Sequence, residues 1–135
     1  MHLYELTAAQ LAERLRNRDL STVELTQAVL DRIDAVEGEI GAYVTVTREE
    51  ALRQAESIDR RRAAGEELGP LAGIPIALKD NLNTKGIVTT CSSKMLEGFV
   101  PPYDAITVRK VHDAGMVSVG KANMDEFAMG SSTEN

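Results

Sequence analysis

A lysine at the end of an apolar run is the first residue in this sequence that could do chemistry. Residues 73–78 are small or apolar, and Lys79, Asp80 and Asn81 follow directly. An apolar run of this length predicts a buried strand, so we expect Lys79 at the edge of the core. Loss of water lowers the pKa of an ammonium group, and a neutral lysine can act as a general base. The alternative is a strand-end lysine that pairs with Asp80 or faces solvent.

Hydroxyl side chains are concentrated in two segments that could lie beside this lysine. The first is Thr-Thr-Cys-Ser-Ser at residues 89–93, and the second is Gly-Ser-Ser-Thr at residues 130–133. Such clusters usually cap helices and line loops. They could also present hydroxyls and backbone donors to a small polar substrate. The second interpretation describes a serine hydrolase in which lysine replaces histidine.

Other kinds of site have weaker support. Residues 115–122 approach a P-loop pattern, but they end in Ala122 where magnesium binding requires Ser or Thr, and the residues between favour a strand. His2 and His112 have no neighbours at metal-ligand spacing. Cys91 and His112 could form a nucleophilic pair, although a small buried cysteine is the simpler interpretation.

The composition indicates a single soluble domain in a reducing compartment. The chain has 135 residues, of which 43% are hydrophobic and 27% charged, and this suffices for one core. Its net charge of −6, from 15 basic and 21 acidic residues, disfavours direct binding of nucleic acid. Cys91 is the single cysteine, and no apolar segment is long enough to cross a membrane. We therefore expect a cytoplasmic protein.

The first 40 residues have the pattern of two consecutive helices. Capping-box sequences at residues 7–10 and 21–24 predict two helix starts. The apolar residues after them recur at helical spacing. Residues 17–19 are expected to end the first helix, and Gly38 the second. These features predict a helical hairpin over residues 1–40.

Strand and helix patterns follow the hairpin. Residues 42–46 are rich in β-branched side chains and predict a strand. A third capping-box sequence at residues 47–50 predicts a helix that Gly65 ends.

The remainder continues the alternation beyond the Lys79 strand. Residues 87–90 form a short β-like run, and Asp104 is expected to cap a helix. Residues 116–119 predict another strand, and Asn123 is expected to cap a short helix that contains Phe127. The order of strand, helix and strand is typical of a βαβ unit with parallel strands, so the expected class is α/β.

The residues around Lys79 resemble the strand that carries the catalytic lysine in amidase-signature enzymes. Residues 84–96, 101–105 and 120–135 are similar to the A subunits of glutamyl-tRNA(Gln)/aspartyl-tRNA(Asn) amidotransferases, a branch of that family. The resemblance extends over the whole chain. It implies an α/β amidase-signature fold, a mixed sheet flanked by helices, in which residues 41–135 begin the core after the hairpin of residues 1–40.

The resemblance further implies a glutaminase with a Ser–cis-Ser–Lys triad. Lys79 matches the catalytic lysine, and Met129, Gly130 and Ser131 match the loop that lines the substrate pocket. In such an enzyme one serine attacks the side-chain amide of glutamine, and ammonia passes to a partner. The implied partners are the B and C subunits of a three-component ligase. ATP and magnesium belong to the partner that amidates the misacylated tRNA, so no cofactor or metal is implied for this chain.

The catalytic serines of the family lie in a Gly/Ser-rich segment that would follow Asn135, and neither Ser131 nor Ser132 matches them. We therefore expect the sequence to be the N-terminal part of a longer protein and to lack glutaminase activity by itself. Two alternatives stay open. One is another amidase-signature hydrolase with a different partner. The other is a non-catalytic α/β interaction module whose helical hairpin docks a partner.

Overall fold

A three-stranded mixed sheet is the centre of the fold, in a computed structural model that describes residues 1–134. Its strands are β1 (Tyr43–Val46), β2 (Pro75–Lys79) and β3 (Val117–Ala122), in the spatial order β1-β3-β2. β3 runs antiparallel to β1 and parallel to β2. The prediction of an α/β chain with a parallel strand pair is therefore confirmed.

Four α-helices accompany the sheet. They are α1 (Ala8–Asn17), α2 (Thr22–Ile40), α3 (Arg48–Ala63) and α4 (Ile106–Asp113). Short 3-10 turns occupy Leu3–Glu5, Lys94–Leu96 and Glu126–Ala128.

The helical hairpin begins as predicted but ends later. The hydroxyls of Thr7 and Ser21 accept hydrogen bonds from backbone N–H groups at the first turns of α1 and α2, and both capping boxes are complete. The predicted stop at Gly38 is wrong, because α2 continues through it. Glycine inside a helix costs only about 1 kcal/mol. Gly41 ends α2 with a φ of 64°, and its N–H donates to the carbonyl of Glu37.

Three predicted caps further along the chain are wrong, and they fail for the same reason. The Thr47 hydroxyl donates to a carbonyl of β3 instead of capping α3. Asp104 accepts from a backbone N–H in the loop after β2 and leaves α4 without a side-chain cap. Asn123 accepts from the hydroxyl of Ser92, 2.8 Å away. In each case the side chain bonds to a distant segment, and the predicted helix cap does not form.

The predicted β-like run at residues 87–90 is also not a strand. Ile87 forms a single bridge with Thr84, and the loop then turns inward. Thr89 and Thr90 are buried there, and both hydroxyls make hydrogen bonds. Hydrogen bonds between side chains and loop backbone therefore satisfy this segment in place of a ladder.

Two apolar clusters attach the helices to the sheet. The first joins α2 and α3 to β3, and its buried members are Leu30, Ile33, Ala51, Ala55, Val117 and Val119. The second joins α1 and α2 to the residue before β2, and its buried members are Leu11, Leu15, Leu20, Leu25 and Ile74. Full burial of one of the leucine, isoleucine or valine side chains contributes about 1.5–3 kcal/mol. The hairpin is thus packed on both β2 and β3, and a domain division at residue 40 stays a prediction.

β3 contains one extra residue opposite β2. Ile76 pairs with Ser118, but the next residue, Ala77, pairs with Gly120. Val119 is therefore bulged, and a bulge changes the direction in which the following side chains point. The bulge separates the apolar start of β3 from its last residues, which lie opposite Lys79 and the residues before it.

The turn that leads into β2 depends on a glycine, and this gives a prediction. Gly73 has a φ of 90°, and a Cβ there would lie 2.6 Å from the hydroxyl oxygen of Thr22. The left-handed backbone alone costs a residue with a side chain about 1–2 kcal/mol. We expect Gly73→Ala to lower the free energy of unfolding by at least that amount in urea denaturation. Gly69→Ala is the control, because Gly69 has open space and no positive φ, and equal losses in both variants would contradict the prediction.

Candidate active site

A buried lysine and a buried aspartate lie side by side where β2 and β3 end. Lys121 Nζ is 3.8 Å from Asp80 Oδ1, and the two side chains are 1% and 0% exposed. Asp80 directly follows Lys79, and Lys121 lies opposite Leu78 in the ladder. An isolated buried charge costs several kcal/mol, so each ion makes the burial of the other tolerable.

Three oxygen atoms complete the surroundings of the Lys121 ammonium. They belong to the carbonyl of Leu82 at 2.8 Å, the hydroxyl of Thr84 at 3.0 Å and the hydroxyl of Thr89 at 2.9 Å. An ammonium group has three N–H donors, and all three are used. Burial lowers the pKa of Lys121, while the negative charge of Asp80 opposes that shift.

Asp80 connects the end of β2 with both β3 and the following loop. Its backbone N–H donates to the carbonyl of Ala122, and its carbonyl accepts from the N–H of Cys91 at 2.9 Å. Its Oδ2 accepts from the N–H and the hydroxyl of Thr90. Cys91 and Ser92 have positive φ values of 51° and 53°, which are unfavourable for residues with a side chain. The bonds from Asp80 support this strained turn.

Lys79 occupies a different environment from the one predicted. β2 alternates, so Leu78 and Asp80 point inward whereas Lys79 is exposed. Within residues 1–134 the Lys79 amine makes no hydrogen bond or ion pair. The prediction that Lys79 is desolvated is therefore wrong for this structure, because its side chain lies on the open side of an edge strand. Its assignment as the catalytic lysine stays a prediction.

Sequence reasoning missed Lys121, which is the lysine that is buried. Lys121 lies in the P-loop-like pattern of residues 115–122, in which residues 117–122 form β3 and not a phosphate-binding loop. One signal was available. A lysine inside a strand of small and β-branched residues requires a counter-ion, and Asp80 ends the one other strongly apolar run.

The predicted pocket residues lie in an exposed loop after the last 3-10 turn. Met129, Gly130 and Ser131 are all exposed. The carboxylate of Asp125 holds the loop, because it accepts from the N–H of Thr133 at 2.7 Å. A Cβ on Gly130 would lie 2.6 Å from the Asp125 carboxyl carbon, so the backbone approaches the carboxylate too closely for a side chain.

The structure brings this loop and Lys79 together only indirectly. The N–H of Phe127 donates to the carbonyl of Cys91 at 3.1 Å, and the N–H of Cys91 donates to the carbonyl of Asp80. Two backbone hydrogen bonds therefore connect the residue after Lys79 with the turn that precedes Met129. No hydrogen bond joins Lys79 itself to residues 129–131 in the described part of the chain.

The hydroxyls of residues 89–93 serve the loop rather than Lys79. Ser92 donates to Asn123 at 2.8 Å, and Ser93 donates to Glu126 at 2.7 Å. Thr89 accepts from the Lys121 ammonium, as described above. The interpretation of this cluster as a loop-stabilising one is confirmed for these contacts.

The remaining candidate chemistries find no site in residues 1–134. His112 lies 3.2 Å from the hydroxyl of Ser118 and 4.0 Å from Asp104, and it makes no hydrogen bond with Cys91. That range also contains no group of three or more histidine, cysteine or carboxylate residues placed to hold a metal. None of its helices is both long and apolar enough to cross a membrane.

Comparison with known protein sequences points to one family and one branch. A family model described as Amidase matches residues 24–135. Over all 135 residues, the chain is 58% identical to the A subunit of glutamyl-tRNA(Gln) amidotransferase from Moorella thermoacetica and 56% identical to that from Carboxydothermus hydrogenoformans. It spans 28% of the length of each of these relatives.

Two solved structures also match the chain. The peptide amidase of Stenotrophomonas maltophilia matches 91% of the chain with a TM-score of 0.86 and 40% identity, over 26% of its own length. A structure described as a vestigial protein complex that reveals the origins of an s-triazine catabolic enzyme matches 96% of the chain with a TM-score of 0.93 and 37% identity, over 29% of its length.

Removal of one member of the buried pair should leave the other as an unpaired buried charge and so destabilise the fold. We expect Lys121→Met to lower the free energy of unfolding by about 3–5 kcal/mol, because Asp80 is left as an uncompensated buried charge. Urea denaturation followed by circular dichroism measures the loss. Lys79→Met is the matched control, and its exposed side chain predicts a change within about 0.5 kcal/mol.

A double-mutant cycle tests whether the two ions compensate each other. Asp80→Asn alone should also destabilise the chain. The double variant Lys121→Met/Asp80→Asn should lose less than the sum of the single losses, since it leaves no unpaired charge. Additive losses would show that the two side chains stabilise the fold independently.

The lowered pKa of Lys121 also predicts a pH dependence. At a pH between the folded-state pKa of Lys121 and its ordinary pKa of about 10.4, more protons are bound to this amine in the unfolded chain than in the folded chain. The contribution of Lys121 to the free energy of unfolding therefore rises with pH across that window. The stability of the wild type relative to Lys121→Met should increase as pH rises. A difference from Lys121→Met that falls with pH would contradict the assigned direction.

Proposed function

The chain belongs to the amidase family, and we propose that the complete protein is the glutaminase subunit of a tRNA-dependent amidotransferase. The solved relatives confirm the expected amidase-signature α/β fold for the described residues. The observation that carries the proposal is the identity of 55–58% over the whole chain with proteins named as the A subunits of glutamyl-tRNA(Gln) amidotransferases. Identity with the peptide amidase is 40%.

The position of Lys79 supports its role as the catalytic lysine. It lies at the carboxyl end of a parallel strand, where α/β folds place binding sites, and its amine has no partner within residues 1–134. No competing partner within residues 1–134 therefore occupies the amine. In the proposed reaction, the Lys79 amine acts as the base and takes a proton through a bridging serine, and a second serine attacks the side-chain amide carbon of glutamine.

The same proton is then transferred to the leaving group. Lys79 returns it to the departing nitrogen, which leaves as ammonia while the serine retains the acyl group. Water then releases glutamate. We propose that residues 129–131 form one wall of the glutamine pocket, since their loop is exposed and connects to Asp80 through Cys91.

We propose that partner subunits carry out the step that consumes the ammonia. Ammonia would be consumed by the B subunit, which uses ATP and magnesium to activate Glu-tRNA(Gln), or Asp-tRNA(Asn), and the C subunit would complete the assembly. The net charge of −6 suits a protein that leaves the tRNA to its partner. We place the complex in the cytoplasm and assign no cofactor to this chain.

We also propose that residues 1–135 alone lack glutaminase activity. The reason is geometric, because no hydroxyl contacts the Lys79 amine within residues 1–134, and a serine nucleophile must lie within hydrogen-bonding reach of its base. Ammonia release from glutamine by the 135-residue chain that is abolished by Lys79→Ala would contradict this.

The complete protein with its partners gives the decisive test. We expect Lys79→Ala to reduce ammonia release from glutamine by about 10²–10⁴-fold, the usual size of a lost acid–base group. Amidation of Glu-tRNA(Gln) with added ammonium chloride should continue, because that step would belong to the partner. Lys110→Ala, an exposed lysine of α4, should leave both activities unchanged.

Two outcomes would overturn the assignment. Full glutamine-dependent activity in Lys79→Ala would remove the lysine from the mechanism. Hydrolysis of a simple amide by the wild-type protein without partners, and no release of ammonia from glutamine, would identify a different amidase of the same family.

A further inference from the structure

We propose that Lys121 and Asp80 form a positioning unit that fixes Lys79 and the loop of residues 129–131 relative to each other. The unit consists of the ion pair and the three oxygens bound to the Lys121 ammonium. Neither ion can touch a substrate, since both are buried, and the unit acts on Lys79 through the backbone. The catalytic part of this inference rests on the proposed function.

The first argument is that Lys121 determines the shape of a segment without regular structure. Residues 80–93 contain no helix or strand, only the single bridge between Thr84 and Ile87. All three oxygens that bind the ammonium come from this segment. One side chain from β3 thus ties three separated points of the segment to the sheet.

The second argument is that the Lys79 amine has no hydrogen-bond or ion-pair partner within residues 1–134. Since its amine makes no hydrogen bond within residues 1–134, its position is set by the backbone on either side. On one side lies the ladder, in which Lys79 is opposite Ala122. On the other side Asp80 is bound through its N–H, its carbonyl and its carboxylate.

The third argument is that the same unit reaches the predicted pocket loop. Asp80 supports Thr90 and Cys91 as described, and the Cys91 carbonyl accepts from Phe127 N–H. The Ser92 hydroxyl makes two hydrogen bonds with the residues directly after β3. It donates to the side chain of Asn123 and accepts from the N–H of Met124 at 3.1 Å. The turn before Met129 is therefore held to the same backbone as Lys79.

A charged lysine is the residue that this position requires. Four oxygen groups, one of them a carboxylate, converge on Nζ, and only a group with several donors and a positive charge satisfies them together. An apolar residue of equal length would remove one donor from each of the Leu82, Thr84 and Thr89 oxygens and would leave the Asp80 carboxylate without its counter-ion. The precision of the loop therefore depends on the ammonium, and not on the volume of the side chain.

Hydrogen exchange in the 135-residue chain tests the inference without reference to activity. We expect Lys121→Met to accelerate exchange of the amides of Thr90, Cys91 and Ser92 at least tenfold more than that of the α2 amides. Leu30→Ala is the control, because it removes a buried side chain from the α2–α3–β3 cluster, and it should accelerate all slow amides by a common factor. Uniform acceleration in Lys121→Met as well would overturn the proposal.

A milder variant covers the case in which Lys121→Met does not fold. Thr84→Val removes one oxygen from the ammonium and retains the ion pair. It should show the same pattern with a smaller difference between the loop amides and the α2 amides. Equal factors for both groups in Thr84→Val would count against the proposal in the same way.

Kinetics of the complete protein test the catalytic part. Lys121→Met should lower kcat for glutamine at least tenfold with less than a threefold change in KM, whereas Leu30→Ala should leave kcat per folded molecule unchanged. Local loosening of the loop with an unchanged kcat would overturn the positioning role. Absence of glutamine turnover in the wild type would instead refute the proposed function, and the exchange experiment would still decide whether the unit holds the loop.

Discussion

A lysine that has lost its water must find replacements for every hydrogen bond and for a counter-ion. Lys121 meets this requirement with one carboxylate, one carbonyl and two hydroxyls. The loop after β2 has little regular structure of its own, so the demands of one ammonium group largely determine its path. The exposed lysine that we assign to catalysis and the buried lysine that shapes its surroundings thus lie on adjacent strands and have opposite environments.

The sequence predicted those features that depend on near neighbours. Both capping boxes of the hairpin form as expected, since their donors and acceptors are three residues apart. Asn123 and Asp104 have equally suitable side chains, yet they bind partners about twenty or thirty residues away. Propensity cannot rank a local donor against one that becomes a neighbour only when the chain has folded. The lysine inside β3 was missed for the same reason, because its counter-ion becomes a neighbour only through the parallel pairing of β2 and β3.

The family and the branch have different kinds of support. The fold belongs to the amidase family as a whole, and the assignment of Lys79 is a proposal for this chain. The glutaminase assignment depends on identity along the entire chain and on the residues after β3. Within the described residues, the loop that contains Met129 has few contacts of its own and is held mainly through Asp125. The loop of residues 129–131 that we propose as part of the pocket and the framework around Lys79 thus lie in different segments, which meet at Cys91.

The strand order has a consequence for how the protein is made. Among residues 1–134, β3 is the central strand, and it is also the last strand in the sequence. Neither β1 nor β2 has another partner there, so on the ribosome both must wait until residues 117–122 have emerged. The three helices before β2 can form earlier, since helical hydrogen bonds are local. In nascent chains that pause before Val117, the apolar faces of α2 and α3 would therefore be exposed, because the sheet that covers them has not formed. A chaperone would bind those faces first.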